Sequence, residues 1–307
     1  MASIRPRKRF GQHFLVDERI LTDILSAAEL NPVDTIVEVG PGLGILTKEL
    51  AKRAARVIAV EIDARLVSIL GKKISSFGNV RIVHGDILRM PPAQLLEIAQ
   101  SVPHNVEEDL EVCPSPRKNY KVVANLPYYI TSPVLRHFLE ASAKPSLMVV
   151  MVQREVGEAI VAAAGRMSLL SLRIQFYSKP TIIAYVPPES FSPPPSVDSV
   201  ILRLDVYPNP PVEVSDVASF FDIITDGFSS PRKQLRNSLA QALGMPPKQV
   251  APLLEKAGVE ARRRAESLNL EEWKRLWEIF ARLLEAKNAD YSRTSQSESC
   301  SGSLGQI

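Results

Sequence analysis

Thr35-Ile36-Val37-Glu38-Val39-Gly40-Pro41-Gly42-Leu43-Gly44 decides the fold class of this chain. Its first five residues, rich in β-branched side chains, read as a buried strand. The alternate glycines that follow supply backbone without Cβ, which can turn tightly and lie against a ligand at the carboxyl edge of a sheet. Downstream, Arg56 to Ile62, Val80 to His84, Tyr120 to Ala124 and Ser146 to Val152 repeat the apolar, β-branched pattern, with amphipathic stretches between them. That alternation predicts an α/β fold with a parallel sheet covered by helices on both faces. A helix is expected over Asp17 to Ala28, where Asp17 can cap and Ile20, Leu21, Ile24, Leu25 and Ala28 share one face. Another is expected to start at Ser132-Pro133, a cap followed by proline. Ile174 to Val186 and Val197 to Val206 read as two last strands joined by the Pro-rich segment Pro187 to Pro195. With no helix between them they should form an antiparallel pair at the sheet edge.

After Tyr207-Pro208-Asn209-Pro210-Pro211 the pattern becomes helical only, so a small all-α C-terminal domain is expected over 207–287, after a sheet domain over 1–206. Ser215 to Phe228, Lys233 to Leu243 and Lys248 to Ala257 are its helices, the last stopped by Gly258. Asn269 with Glu272 forms a capping pair for a further helix, in which Trp273, Leu276, Trp277, Phe280, Leu283 and Leu284 repeat at helical spacing. That stripe is a core face. Residues 288–307 are Ser-rich, offer little to bury and are expected to be disordered.

With 307 residues and 45% hydrophobic content the chain can build a sizeable core, and a formal charge of +3 is only mildly basic. The positive charge is clustered instead: Arg5, Arg7, Lys8 and Arg9, then Arg232, Lys233 and Arg236, then Arg262 to Arg264. Such clusters beside a base-shaped site point to a polyanionic partner. Cys113 and Cys300 show neither metal-site nor disulfide spacing, so no metal and a reducing compartment are expected. No apolar run approaches the roughly 18 to 20 residues of a membrane span, and the basic N-terminus meets Asp17 and Glu18 instead of an apolar signal core. A cytoplasmic protein is the expectation.

The spacing of the glycines discriminates between ligands. A dinucleotide fingerprint wants glycine or alanine three residues after Gly42, where this chain has Ile45. Glu61 closes the second strand about 20 residues on, where a carboxylate can accept both ribose hydroxyls. Asp86, in Gly85-Asp86-Ile87-Leu88, is placed to accept from an adenine amino group. Glycines, a ribose acid and an adenine acid at three successive strand ends fit an adenosyl ligand without phosphates. Each alone is explained by a turn, a surface acid or a helix cap; their order carries the reading.

Asn125-Leu126-Pro127-Tyr128-Tyr129 closes the strand Tyr120 to Ala124 and suits a flat base that presents an amino group. The N6 lone pair of adenine is delocalised into the ring and is a poor nucleophile. If the Asn125 side-chain oxygen and the Leu126 carbonyl accept both N6 hydrogens, the nitrogen is aligned and its developing positive charge stabilised. The proton then leaves after the bond forms, and water suffices to take it. Tyr128 would stack on the base. Phe191 is the candidate for the other face, although its neighbourhood by itself reads as core packing.

Arg9 to Leu15, Glu38 to Thr47, Glu61-Ile62-Asp63, Gly85 to Leu88, Asn125 to Pro133, Met151 to Glu155, Phe191 to Leu202 and Phe228 to Asn237 resemble the successive motifs of the ribosomal RNA adenine N6-dimethyltransferases. The resemblance covers most of the chain to about Leu284 and is strongest to the bacterial 16S rRNA branch, whose loss gives kasugamycin resistance. It implies a Rossmann-like class I methyltransferase sheet that uses S-adenosylmethionine. Its implied substrate is a pair of adjacent adenosines near the 3′ end of 16S rRNA in an assembling small subunit, and a monomer is the expected form. By that resemblance His13, Leu15, Gly40, Gly42, Glu61, Asp86 and Asn125 line the cofactor, Asn125, Leu126 and Tyr128 the adenine, and Arg232, Lys233 and Arg236 the RNA.

The chain departs from the family pattern at four places. His13 stands where the family often has Asn, and a neutral imidazole can also donate. Gln100 to Asn119 is longer than usual and carries Glu107, Glu108, Asp109 and Glu111, so it is expected to point away from RNA or to be mobile. Pro231 replaces a basic residue, and Gly157-Glu158-Ala159 replaces a segment that often carries arginine. A 23S rRNA methylase shares most motifs, and Leu126 in place of its usual Ile favours the 16S branch. A non-catalytic assembly factor and a nicotinamide oxidoreductase are the alternatives from other classes.

Overall fold

The computed structural model describes residues 12–103 and 120–283. The first basic cluster, the acidic residues Glu107 to Glu111, Leu284 and the tail lie outside the described residues. By its contacts the chain divides into two units. One holds the described residues to Val161 with Arg173–Pro211, the other Ala162–Leu172 with the described residues from Val212.

In chain order the first unit contains β1 (Phe14–Leu15), α1 (Glu18–Ala28), β2 (Thr35–Val39), α2 (Ile45–Ala51), β3 (Arg56–Glu61), α3 (Ala64–Lys73), β4 (Val80–His84), α4 (Pro92–Gln100) and β5 (Tyr120–Asn125). It continues with α5 (Thr131–Leu139), β6 (Leu147–Gln153), α6 (Arg154–Ile160), the end of α7 (Leu169–Tyr177), β7 (Ser178–Val186), β8 (Phe191–Ser192) and β9 (Ser199–Val206). Seven strands form one sheet in the order β4-β3-β2-β5-β6-β9-β7. The first five pair in parallel, whereas β9 runs antiparallel to both β6 and β7. The sheet is thus the expected parallel one with an antiparallel edge. Val57, Ile58 and Ala59 of β3 and Met148 to Val152 of β6 are fully buried on both faces, as a sheet between two helical layers requires.

The Asp17 side chain caps α1 by accepting from the Arg19 N–H, and Ile20, Leu21, Ile24, Ala27 and Ala28 form its buried face. They pack with Val149, Met151 and Ile201 of the sheet in one apolar cluster. Two expected boundaries shift. A 3₁₀ turn over Tyr128–Ile130 runs directly into α5, so the helix starts at Thr131 and Ser132 sits inside its first turn instead of capping it. Ile174 to Tyr177 belongs to α7, not to the strand that follows. Ser168 and Ser171 cap this helix reciprocally, each N–H donating to the other's hydroxyl. Apolar residues spread around a helix, as along α7, carry no helical period to read.

The second unit contains α8 (Val217–Phe228), α9 (Leu235–Ala242), α10 (Pro247–Lys256) and α11 (270–283). Asp216 caps α8. Asn269 and Glu272 form the expected reciprocal cap on α11, at 2.9 and 3.0 Å. Trp273, Leu276, Trp277 and Phe280 are buried as a core face, and the Trp277 indole N–H donates to Ser219 Oγ at 2.7 Å. Gly227 admits the Trp273 ring, since a Cβ there would lie 2.4 Å from it.

Candidate active site

Strand order reverses between β2 and β5, and in open α/β sheets ligands bind beyond the carboxyl ends at such a switch point. A cavity of about 350 Å³ lies there, walled by the residues that end four strands. Gly40, Gly42, Glu61, Asp86, Asn125, Leu126 and Tyr128 all line it, as do His13 and Leu15 from the N-terminal strap. Positions separated by more than 100 residues in sequence thus meet around one space.

In one half of the cavity Glu61 is 4% exposed, and both its oxygens are fixed by backbone. Oε2 accepts from the Gly42 N–H at 3.2 Å and Oε1 from the Asp63 N–H at 2.9 Å. Burial raises the Glu61 pKa, and these two N–H groups work against that rise. Gly42 adopts φ +56, and a Cβ there would press on the Phe14 ring at 3.1 Å. Only glycine lets Phe14 lie this close. Asp86 Oδ1 accepts from the Leu88 N–H at 3.0 Å, so the side chain caps a short turn and faces the cavity at once.

The strap ties the strand ends together. Gln12 reaches Asp63 at 3.4 Å, and β1 pairs antiparallel with β8. His13 Nδ1 lies 2.8 Å from the Pro193 carbonyl, which can only accept, so Nδ1 carries the hydrogen. The His13 carbonyl in turn accepts from Asn125 Nδ2 at 3.1 Å.

That last bond orients the other half. With Nδ2 donating to His13, the Asn125 amide keeps Oδ1 as the acceptor it offers. Leu126 is buried with its N–H on the Met151 carbonyl at 3.2 Å, and Pro127 restricts the backbone after it. The Tyr128 hydroxyl meets Ser199 Oγ at 2.6 Å, and its ring stacks on His13 with 5.9 Å between centroids. Phe191 corrects the expectation made of it. It is 3% exposed, is not among the lining residues, and packs in the apolar cluster with Leu15 and Ile20. It pairs with Leu15 across the β1–β8 ribbon and packs beneath the strap.

Glu38 belongs to the wall as well, and was missed as a site residue. It is 1% exposed; burial, with a contribution from the Glu61 charge, pushes its carboxyl up to about 8. Its Oε2 and the nearby Thr47 Oγ1 are buried without a hydrogen-bond partner. An acid inside a β-branched run was the signal available. These unsatisfied groups, the buried Glu61 and the glycine cradle fit a ligand with hydroxyl and cationic groups.

In the second unit, Arg232 and Lys233 are exposed, with Lys233 Nζ 3.2 Å from Gln241 Oε1. Arg236 is half-buried, and its Nε has no partner. The third basic cluster is divided. Arg263 is bound to Glu272 and Ser267, whereas Arg262 and Arg264 are exposed.

The model of the family described as ribosomal RNA adenine dimethylase matches residues 4–282. The chain belongs to that family. A curated member from Dehalococcoides mccartyi, ribosomal RNA small subunit methyltransferase A, is 48% identical over 91% of this chain and 89% of its own length. The protein of that name from Moorella thermoacetica is 42% identical over 87% of this chain and 90% of its own. Among solved structures the 23S rRNA methyltransferase ErmE is 28% identical, with a TM-score of 0.65 over 87% of this chain and 98% of that one. A dimethyladenosine transferase from Plasmodium falciparum shares the fold, with a TM-score of 0.67 over 86% of this chain and 96% of its own, at 24% identity. This dimethylase is therefore an S-adenosylmethionine-dependent rRNA methyltransferase. When bound, S-adenosylmethionine supplies an electrophilic methyl group on a positively charged sulfur.

Proposed function

We propose that this enzyme dimethylates N6 of two adjacent adenosines in the 3′-terminal hairpin loop of 16S rRNA during small-subunit assembly. The observation that supports it most is the fixed Asn125 amide, whose Nδ2 is held by the His13 carbonyl and whose Oδ1 is left to accept. In this reading Asn125 Oδ1 and the Leu126 carbonyl accept the N6 hydrogens, and Tyr128, braced by His13 and Ser199, carries the base on its ring. Glu61 holds the donor ribose, Asp86 its adenine amino group, and Gly40 and Gly42 leave room for the donor against the backbone. The strap residues His13 and Leu15 close that space. Proton loss follows bond formation, so no strong base is required. Each adenosine must leave its stack to enter, at a cost of a few kcal/mol.

Residues 207–287 form the RNA-docking domain in this proposal, through Arg232, Lys233 and Arg236, and the enzyme works as a cytoplasmic monomer. The 48% identity to a small-subunit enzyme supports this substrate over 23S rRNA, the reading that the 28% identical ErmE keeps in view. A non-catalytic assembly role would leave the fixed Asn125 without a purpose. The test is Asn125→Ala, measured for methyl transfer and for RNA affinity separately. Turnover should fall at least a hundredfold with RNA affinity nearly intact; parallel loss of both would reject the assigned role.

A further inference from the structure

Tyr129 lines the same cavity one residue after Tyr128, and no step above uses it. The two tyrosines differ in their support. Tyr128 is held by Ser199 and His13, whereas Tyr129 makes no hydrogen bond or ring contact among the described residues and is 55% exposed. Burial raises the Tyr129 pKa, and the charges of Asp86 and then Glu61, which line the same cavity, raise it further. Ile62, the residue after Glu61, lines the cavity too and is 44% exposed. Two apolar side chains are therefore left in water around the two acids at the ends of β3 and β4.

We propose that the Tyr129 ring covers the adenosine half of the methyl donor. Free aromatic surface at a cavity mouth suits a flat heterocycle, which removes that surface from water and stacks on it. The occupant is the donor adenosine and not an RNA base, because the other exposed apolar side chain on this wall, Ile62, directly follows Glu61, and Asp86 lines the same cavity. The RNA base belongs to Asn125 and Tyr128. The inference rests on the donor reading of those two carboxylates.

The test is calorimetric binding of S-adenosylhomocysteine and of adenosine to the wild type, Tyr129→Phe and Tyr129→Ala, with 16S rRNA affinity measured without donor. Tyr129→Ala should bind both ligands about tenfold more weakly, because the lost contact is with the part they share. Tyr129→Phe should stay within about twofold of the wild type, since it keeps the ring. RNA affinity should not change. Unaltered S-adenosylhomocysteine binding by Tyr129→Ala, when the wild type binds, overturns this inference alone. Loss of RNA affinity with donor affinity kept assigns the ring to an RNA base and also overturns it. Equal losses in Phe and Ala would overturn the stacking role in favour of the hydroxyl. A wild-type protein that binds no S-adenosylhomocysteine overturns the donor reading and this inference together.

Discussion

Glu38→Gln should leave the protein unchanged in acid and make it more stable as the pH rises. Glu38 is 1% exposed, its Oε2 has no partner, and burial lifts its pKa from 4.5 to about 8. Below pH 4.5 folded and unfolded chains both hold the proton, so the side chain adds no pH dependence. Between 4.5 and about 8 the folded chain keeps a proton that the unfolded chain has released, and stability falls with rising pH. The slope is at most about 1.4 kcal/mol per pH unit, which accumulates to about 4 kcal/mol by pH 8. Glutamine imitates the protonated acid and cannot ionise. In equilibrium urea unfolding, the advantage of Glu38→Gln over the wild type should therefore be about 3 kcal/mol larger at pH 8 than at pH 5. Carboxylates whose pKa is lowered, such as Glu29 and Glu49, contribute equally to both proteins and cancel in the difference. A stability difference that does not change with pH would refute a neutral Glu38. The same variant should bind the cationic donor more weakly, because it cannot become the carboxylate that positive charge favours.

Gly42→Ala places a Cβ 3.1 Å from Phe14 on backbone at φ +56, so it should cost about 1–2 kcal/mol of stability and weaken S-adenosylhomocysteine binding in calorimetry. Charge reversal at Arg232 and Lys233 together should weaken 16S rRNA binding and flatten its dependence on salt, measured as the slope of log affinity against log salt; an unchanged slope would move the RNA face elsewhere. Ser199→Ala removes the hydroxyl that meets the Tyr128 phenol at 2.6 Å and should lower methyl transfer while leaving S-adenosylhomocysteine affinity as it is.

Strand positions were legible because β-branched runs between glycine loops have few other readings, and four of the strand ends carried the cavity residues with them. What escaped were contacts made between distant positions. Phe191 reads as core packing from its neighbourhood, but which core it joins depends on a two-residue pairing with Leu15, 176 positions away. In the helix over Leu169–Tyr177 the apolar residues are spread around the circumference, so they show no period that separates helix from strand. Glu38 could be seen as an acid in a strand, but that its Oε2 lacks a partner is a property of the folded wall. Arg263 looked like one of three basic residues for a polyanion until its position beside Glu272 showed it holding the second unit together.

The most direct measurement is transfer of labelled methyl groups from S-adenosylmethionine to small ribosomal subunits lacking these modifications, followed by mapping of the modified nucleotides. The account predicts N6,N6-dimethyladenosine at two adjacent adenosines near the 3′ end of 16S rRNA. Label confined to 23S rRNA, or absent from both, would contradict it.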